Sequence, residues 1–283
     1  MRKLFVCIAL GLTTLTGNAA SPLWMRDVQI SPDGTEIAFC YKGDIYKVSA
    51  GGGTAIQLTT QPSYECTPIW SPDSKQIAFA SDRNGNFDIF VMPATGGTAQ
   101  RLTTHSSSEL PSAFTPDGKY ILFSASIQDP SQSALFPTTA MTELYKVPVN
   151  GGRTEQVLGT PAEAVCYAPS GEFFLYQDRK GFEDEWRKHH TSSITRDIWL
   201  YDTKTGKHTN LTNHAGEDRN PVLSPDGKSV YLLSERKGSF NVYSFPLDNA
   251  QDLKAVTSFK THPVRFLSMS HGGTLCYAYE IGR

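Results

Sequence analysis

The residues best suited to binding chemistry in this sequence are acids and histidines that recur in short polar segments. They are Glu65, His105, Glu109, His214, Glu217 and Asp218. Carboxylates and imidazoles accept hydrogen bonds from ammonium groups and also hold cations. We predict that these residues, with Arg219 beside them, line the mouth of a central channel, where they would suit a cation or the amino terminus of a peptide.

A second group of candidates lies in the most charged stretch of the chain, residues 180–190, and consists of Trp186, Arg187, His189 and His190. Adjacent residues on an extended segment point to opposite sides. His189 and His190 are therefore poorly placed to share one metal ion. The stretch favours a solvated or partner-facing loop whose charged side chains pair among themselves.

The sequence gives no support for a catalytic, cofactor or metal site. It has no G-x-S-x-G elbow, no H-E-x-x-H, no phosphate-binding loop and no dinucleotide fingerprint. Beyond residue 20 the cysteines are Cys40, Cys66, Cys166 and Cys276, and none forms a C-x-x-C pair. Their apolar surroundings indicate buried thiols.

Composition limits the partners and the N-terminus indicates the compartment. The net charge is −2 and no basic stripe is present, so nucleic acid is not an expected partner. Arg2 and Lys3 precede an apolar run over 4–15 and small residues at 17–20. This pattern predicts a signal peptide over 1–20 and export to the periplasm or beyond. The apolar run is too short to span a membrane, and no other stretch approaches that length.

One turn motif organises the rest of the chain. Ser31-Pro32-Asp33-Gly34 has full or worn copies that begin at residues 71, 115, 168, 224 and 270. Proline presets φ at the second position of a type I turn, and glycine accepts the conformation at the exit. A spacing of about 40–50 residues is typical of repeat architectures built from one supersecondary unit per copy.

Each repeat contains four short strand-like segments separated by turn residues. The third has a recurring pattern, as in Asp44-Ile45-Tyr46 and Asp88-Ile89-Phe90. Its acid is expected to accept hydrogen bonds from backbone, and its aromatic residue to pack between neighbouring units. The pattern predicts an all-β fold over 21–283, a six-bladed β-propeller of four-stranded antiparallel blades with the sixth blade incomplete. The repeats span about 23–60, 61–104, 105–159, 160–213, 214–258 and, in part, 259–283.

Two inserts make the faces of the predicted disc unequal. They occupy 127–141 and 179–196, in both cases between the second and third strands of a repeat. Both therefore lie on the face that also carries the connections between blades, here called the insert face. The Ser-Pro-Asp-Gly turns lie on the opposite face, called the turn face. Loops on a rigid scaffold commonly carry binding residues, so we expect the insert face to bind.

The chain ends after two strands of the sixth repeat. An unpaired sheet edge is usually avoided or covered. We therefore expect either that the chain is a fragment of a longer protein or that a partner strand completes the sixth blade, and we favour the fragment.

The repeats resemble those of the TolB-type propeller and of the N-terminal propeller of tricorn-like peptidases. The resemblance rests on the succession S-P-D-G, I-A-F, S-D-R-x-G, D-I-Y, G-G and L-T across 23–279. The stretch 176–199 is similar to exported tricorn-like serine peptidases of Bacteroidetes-type bacteria. In that family the protease core lies after the propeller, so the resemblance places no catalytic residue in this chain.

The resemblance implies a non-catalytic propeller that gates or docks peptide substrate for a protease region absent from this sequence. The alternative is a TolB-like periplasmic module for protein–protein interaction. Against the alternative, TolB carries an additional N-terminal α/β domain, which this sequence lacks. Under both hypotheses the partner is a peptide or a protein.

Overall fold

The computed structural model describes residues 24–127, 141–181, 192 and 194–279. All regular elements in this part of the chain are β-strands. The predicted signal peptide and the central parts of both inserts lie outside the described residues.

Five sheets contain four antiparallel strands each, joined in chain order, and we call them blades 1 to 5. Blade 1 consists of β1 (Arg26–Ile30), β2 (Glu36–Tyr41), β3 (Asp44–Ser49) and β4 (Ile56–Gln57). Blade 2 consists of β5 (Glu65–Trp70), β6 (Gln76–Ser81), β7 (Asp88–Pro93) and β8 (Gln100–Arg101). Blade 3 consists of β9 (Glu109–Phe114), β10 (Tyr120–Ala125), β11 (Glu143–Pro148) and β12 (Glu155–Leu158). Blade 4 consists of β13 (Glu163–Tyr167), β14 (Phe173–Gln177), β15 (Ile198–Asp202) and β16 (His208–Asn210). Blade 5 consists of β17 (Asp218–Leu223), β18 (Ser229–Ser234), β19 (Asn241–Pro246) and β20 (Lys254–Ala255).

The prediction of six blades with an incomplete sixth is wrong, because the structure has five four-stranded blades. The last two strands, β21 (Val264–Met269) and β22 (Leu275–Tyr279), form a separate two-stranded sheet. The worn sixth motif does form a turn, in which the Gly273 N–H donates to the Ser270 carbonyl over 3.0 Å. It joins the two strands of a hairpin rather than opening a four-stranded sheet.

The β21–β22 hairpin closes the ring. On one side Val264 and Leu267 pack in an apolar cluster with residues of blade 5. On the other side the Ile30 N–H donates to Ser268 Oγ over 3.1 Å, and the His271 N–H donates to the Pro32 carbonyl over 2.7 Å. The hairpin therefore joins the last blade to the first.

The recurring turn is built by its own side chains. Ser71 Oγ donates to Asp73 Oδ1 over 2.7 Å, and the same Asp73 oxygen accepts the Lys75 N–H over 3.1 Å. These bonds lower the pKa of Asp73, with the serine hydroxyl contributing most. Ser71 Oγ in turn accepts the N–H of Gln76, the first residue of β6. The hydroxyl at the first position of the motif accepts the corresponding N–H from Glu36, Tyr120 and Ser229 in three other turns.

The core lies in layers between neighbouring blades. Within blade 2 Phe79 stacks on Phe90 with ring centroids 5.9 Å apart, and within blade 3 Phe123 stacks on Tyr145 with ring centroids 5.7 Å apart. Tyr145, in blade 3, belongs to one buried cluster with Ile89 of blade 2. For this residue the expected packing of third-strand aromatics between blades is confirmed.

We predict that Ser268→Ala lowers the free energy of unfolding by about 1–2 kcal/mol, because the buried Ile30 N–H loses its acceptor. The measurement is urea unfolding followed by tryptophan fluorescence. Ser170→Ala, in an exposed turn, is the control and should change stability by less than about 0.5 kcal/mol. Superimposable curves for Ser268→Ala and the unaltered protein would contradict the closure described here.

Candidate functional site

A cavity of about 910 Å³ lies on the axis of the ring. The first strands of successive blades contact one another around it, and β21 contacts both β17 and β1. All six of these strands contribute to the lining, through residues that include Asp27, Thr67, Leu110, Ala164, Asn220 and Phe266. Each of these residues lies in the half of its strand that begins at the insert face, so the cavity opens towards that face. Its volume is within the range of ligand-binding pockets.

Bulges in the first strands shape the cavity wall. In five of them one non-glycine residue has a left-handed φ of 48° to 57°, namely Asp27, Thr67, Ala164, Asn220 and Phe266. The pairing register with the second strand shifts at each of these points. A bulge breaks the strict alternation of side chains and re-aims those around it. Left-handed non-glycine residues are uncommon and cluster at functional sites.

Side chains from the preceding blade hold the bulged backbone. Asp27 Oδ2 accepts the Thr67 N–H over 3.1 Å, Ser112 Oγ accepts the Val165 N–H over 2.7 Å, and Gln177 Oε1 accepts the Asn220 N–H over 2.9 Å. The bulges are therefore fixed in place by hydrogen bonds that run between blades. The wall is pre-formed rather than adaptable.

Charge is distributed unequally around the cavity. Four arginines line the side formed by blade 4, blade 5 and the hairpin: Arg179, Arg196, Arg219 and Arg265. Hydroxyl groups dominate the side formed by blades 2 and 3: Thr67, Ser106, Ser107, Ser108, Ser112, Ser124, Ser126 and Thr142. We call these two sides the arginine arc and the hydroxyl arc.

Two acids hold the arginine arc. Arg196 is 2.7 Å from Glu217, whose side chain is 1% exposed. Arg179 is 3.0 Å from Glu163, which also lies 3.8 Å from Arg196. Arg219 lies over the ring of Phe240, 4.1 Å from its centroid. These contacts fix the directions of three guanidinium groups.

A related polar joint recurs at the start of the first strands. Glu65 lies opposite Ser81, accepts its hydroxyl over 2.9 Å, and pairs with Arg83 at 3.1 Å. Asp218 lies opposite Ser234 and pairs with Arg236 at 2.7 Å. In blade 4 the same positions hold Glu163, Gln177 and Arg179. The same joint thus occurs in each of three blades. It consists of an acid, a polar residue opposite the acid, and an arginine two residues after that polar residue.

Blade 3 breaks this pattern. Its acid, Glu109, lies opposite Ala125, and the arginine position is occupied by Ile127. Glu109 is fully buried, and neither of its carboxylate oxygens receives a hydrogen bond of normal geometry from a described residue. The first insert begins at this position, so the joint is lost where the insert face departs from the repeat.

The pKa of Glu109 is raised to about 7. Burial is the main cause and the negative charge of Asp88 adds to it, while the Thr103 hydroxyl and the Arg101 guanidinium act in the opposite direction. Arg101 is occupied by Asp88, 2.7 Å away. Glu109 is therefore a buried acid that changes charge near neutral pH.

The structure separates the sequence-predicted residues that it describes into three groups. His105 and Arg219 line the cavity, and His105 Nδ1 accepts the Ser107 N–H over 3.0 Å. The acids Glu65, Glu109, Glu217 and Asp218 are buried beneath the insert face. His214 lies in the connection from blade 4 to blade 5, and its ring accepts the Gly216 N–H over 2.9 Å. Trp186, Arg187, His189 and His190 lie outside the described residues.

Sequence reasoning missed three of the four cavity arginines and the whole hydroxyl arc. Arg179 has a signal, because it matches the repeated arginine of Arg83 and Arg236. Arg265 has none, because the bulge beside it decides where it points and a bulge is not visible in strand alternation. Arg196 precedes β15 within the second insert and matches no repeat position.

The two faces also differ in exposed apolar surface. Large apolar residues that are clearly exposed towards the insert face include Trp24, Tyr64, Leu110, Met141 and Tyr279. The turn face instead presents exposed or half-buried acids such as Asp73 and Asp117, each bonded within its own turn. Exposed apolar residues that cluster on one face indicate an interaction surface.

Within the described ranges, no group of three or more His, Cys, Asp or Glu side chains is arranged to hold a metal ion. No helix of sufficient length and hydropathy to cross a membrane occurs there either.

Comparison with known proteins gives a family and a fold. The sequence pattern of the tricorn protease N-terminal beta propeller domain matches residues 22–281. The crystal structure of the tricorn protease superposes with a TM-score of 0.72 at 21% identity, over 93% of this chain and 27% of that one. The structure of a putative TolB from Agrobacterium tumefaciens gives a TM-score of 0.66 at 19% identity, over 84% of this chain and 82% of that one.

Curated relatives match over shorter stretches. The uncharacterized peptidase YuxL of Bacillus subtilis is 32% identical over 72 residues, which are 25% of this chain and 10% of the relative. The uncharacterized protein Atu1656 of Agrobacterium fabrum is 31% identical over 108 residues, 38% of this chain and 33% of the relative. The matches thus span a tenth to a third of the length of these relatives.

We predict that Glu109→Gln stabilises the protein at pH 8 by about 2 kcal/mol more than at pH 5. The folded pKa of about 7 lies above the unfolded value of 4.5. The folded state therefore binds more protons between these values, and stability falls as pH rises through this window. Glutamine removes the buried charge and with it this loss. The measurement is urea unfolding at pH 5 and pH 8.

Glu65→Gln is the matched control, because Glu65 keeps the serine and arginine that Glu109 lacks. It should destabilise at pH 8, since it breaks the pair with Arg83. Ala125→Ser restores the hydroxyl found in blades 2 and 5 and should weaken the pH dependence caused by Glu109. Equal effects of Glu109→Gln at both pH values would contradict the titration of this residue.

Proposed function

The chain belongs to the tricorn protease N-terminal β-propeller domain family, and from this premise we propose that it is a non-catalytic propeller that admits or docks peptide substrate for proteolysis. The protease region that acts on the substrate lies outside this sequence. The observation that carries the proposal is the axial cavity of about 910 Å³, which opens on the insert face.

The cavity wall supports a peptide as the ligand. Serine and threonine hydroxyls both donate and accept hydrogen bonds, as the backbone amides of an extended peptide require. Exposed Tyr64 and Leu110 lie towards the same face as the cavity mouth and offer apolar contacts to side chains outside it. A rigid polar channel with an apolar margin suits an extended segment better than a folded surface.

We propose that the protease region or partner binds at the edge of the β21–β22 sheet. Within the described residues β22 pairs with β21, so its other edge carries backbone groups available for a further strand. A partner strand, from a continuation of the protein or from another chain, would pair there. Peptide taken up on the insert face would then be held beside the partner.

Residues 1–20 are the basis for our proposal on the compartment in which the protein works. We propose that they act as a signal peptide and that the propeller over 21–283 works in the periplasm or outside the cell. The resemblance of 176–199 to exported peptidases of Bacteroidetes-type bacteria supports the same location.

A TolB-like module for protein–protein interaction is the second candidate. The observation in its favour is that the putative TolB from Agrobacterium tumefaciens aligns over most of both chains. In this case a folded partner would contact the exposed residues of the insert face and would not enter the cavity.

We predict that Ser108→Trp, at the mouth of the cavity, weakens the binding of unstructured peptides at least tenfold. The indole fills space that the peptide needs. The measurement is fluorescence anisotropy with labelled peptides from a digest of an unfolded protein. Lys119→Trp adds the same bulk on the turn face and should leave binding unchanged.

The two candidates give different results in this experiment. If purified protein binds none of the peptides, the peptide proposal fails. If it binds them and both tryptophan variants bind equally well, the cavity is not the site and a surface of the TolB-like kind is favoured.

A further inference from the structure

We propose that two buried carboxylates, Asp88 of blade 2 and Glu109 of blade 3, form a pH-sensitive contact that holds one wall of the axial cavity in place. The contact is closed when Glu109 carries a proton. Loss of this proton releases residues 105–110, here called the wall segment, from blade 2. The consequence for peptide binding rests on the proposed function, whereas the release of the wall segment is measurable without a ligand.

One backbone hydrogen bond recurs where neighbouring blades meet. The N–H of an acid at the start of a first strand donates to a carbonyl of the preceding blade. The pairs are Glu65 with Gly43 at 2.7 Å, Glu109 with Phe87 at 2.8 Å and Asp218 with Arg196 at 3.0 Å. An aspartate follows each of these carbonyls in the chain. Each of these junctions therefore carries two acids, one from either blade.

The junctions differ in the cations that accompany the acids. Between blades 4 and 5 each acid has its own cation. The pairs are Asp197 with Lys180 at 2.6 Å and Asp218 with Arg236 at 2.7 Å. Between blades 1 and 2 Glu65 pairs with Arg83, and Asp44 is half-buried, so water can reach it. Between blades 2 and 3 the described cation is Arg101, which lies 2.7 Å from Asp88.

Both acids between blades 2 and 3 are fully buried. Neither carboxylate oxygen of Glu109 receives a hydrogen bond of normal geometry from a described residue. Burying a carboxylate without a partner costs free energy, and two carboxylates that share one site disfavour the ionisation of both. The closed contact therefore favours a proton on Glu109. Burial and the negative charge of Asp88 raise the pKa of Glu109 to about 7, against the opposing effects of Thr103 and Arg101.

Charged residues on the other described elements around β9 have partners of their own. On the neighbouring first strands and within blade 3 these are Glu65 with Arg83, Glu163 with Arg179, and Glu143 with the hydroxyl of Tyr145. Strands β6 and β10, which also pack against β9, contain no acidic or basic residue. The charges that act on Glu109 are therefore those of Asp88 and Arg101.

The contact is placed to move the cavity wall. Both neighbours of Glu109 in the chain line the cavity. The wall segment is also attached to blade 2 through Asn86, whose amide donates to the carbonyls of His105 and Ser107 over 2.9 Å each. An ionised Glu109 is more stable in water than in the junction, and its movement towards water draws the start of β9 away from Phe87. The hydroxyl groups of the wall segment then leave the positions that they hold in the closed wall.

Linkage gives the size of the effect. Release lowers the pKa of Glu109 from about 7 to its ordinary value of 4.5. The ratio of released to closed wall segment then rises about tenfold between pH 6 and pH 8.5. The measurement is hydrogen–deuterium exchange of the purified full chain at both pH values, read by mass spectrometry of its peptides and corrected for the intrinsic exchange rate.

We expect the protection of the wall segment to fall about tenfold and that of residues 61–68 to stay constant, because the acid there, Glu65, keeps its arginine. Titration of His105 gives the opposite direction. Its Nδ1 accepts the Ser107 N–H, so a proton on the ring loosens the wall segment at low pH. Equal protection of the wall segment at both pH values, or an equal loss in both segments, would overturn the proposal.

Glu109→Gln replaces the titrating group with a neutral one of similar shape, and the difference between the two pH values should disappear. Glu155→Gln, at an exposed acid of blade 3 that pairs with Lys146, is the matched control and should keep the difference. A difference that persists in Glu109→Gln would show that another group is responsible. If this variant does not fold, the comparison of the two segments in the unaltered protein still decides the proposal.

Peptide binding tests the consequence for the cavity. Binding weakens in proportion to the fraction of protein that is closed, so labelled peptides from a digest of an unfolded protein should bind at least threefold more weakly at pH 8.5 than at pH 6. In Glu109→Gln the two affinities should be equal. If the wall segment is released but the affinity does not change, the link between the contact and the cavity is wrong. If no peptide binds at either pH, the proposed function fails, and hydrogen exchange alone decides the contact.

Discussion

The structure depends on the buried polar joints that hold the first two strands of a blade together beneath the insert face. An acid at the start of a first strand, as at Glu65 or Asp218, lies opposite a serine of the second strand. It forms an ion pair with the arginine two residues after that serine. Removing a charge from water is costly, and a buried pair recovers that cost only if its geometry is good. The joints therefore act mainly on register. In blades 2, 4 and 5 they fix where the first strand begins, and through the bulge that follows they fix which side chains face the axis.

This constraint explains why the two faces of the disc differ. On the turn face the hydroxyl and the aspartate of each complete motif bond within their own turn, so the face is polar and repetitive. On the insert face the joints, the bulges and the connections between blades meet, and here the repeats diverge. The break at Glu109, with Ala125 and Ile127 in place of the serine and arginine, lies where the first insert begins. The loops of the insert face can differ from repeat to repeat, because the hydrogen bonds of the turn face maintain the fold.

Turn chemistry and strand periodicity predicted the β-propeller architecture and the identity of the turn face, because both are local properties. The number of blades could not be read in the same way. The turn at Ser270 forms as expected, but a turn motif shows only that two strands meet and not how many follow. The acids of the joints were recognised as special but interpreted as channel residues. Periodicity does not show that Glu65 and Asp218 point into a joint rather than towards the axis. The arginine arc was largely missed, because the bulge beside Arg265 resets the alternation on which such predictions rest and because Arg196 matches no repeat position.

The central claim is that the working site is the axial cavity, entered from the insert face. A crystal structure of the protein with a bound peptide tests it most directly. The account predicts an extended segment in the cavity, with its backbone amides within hydrogen-bond distance of serine hydroxyls of the hydroxyl arc. Peptide bound on the turn face, or along the edge of β22 with the cavity unchanged, would contradict it.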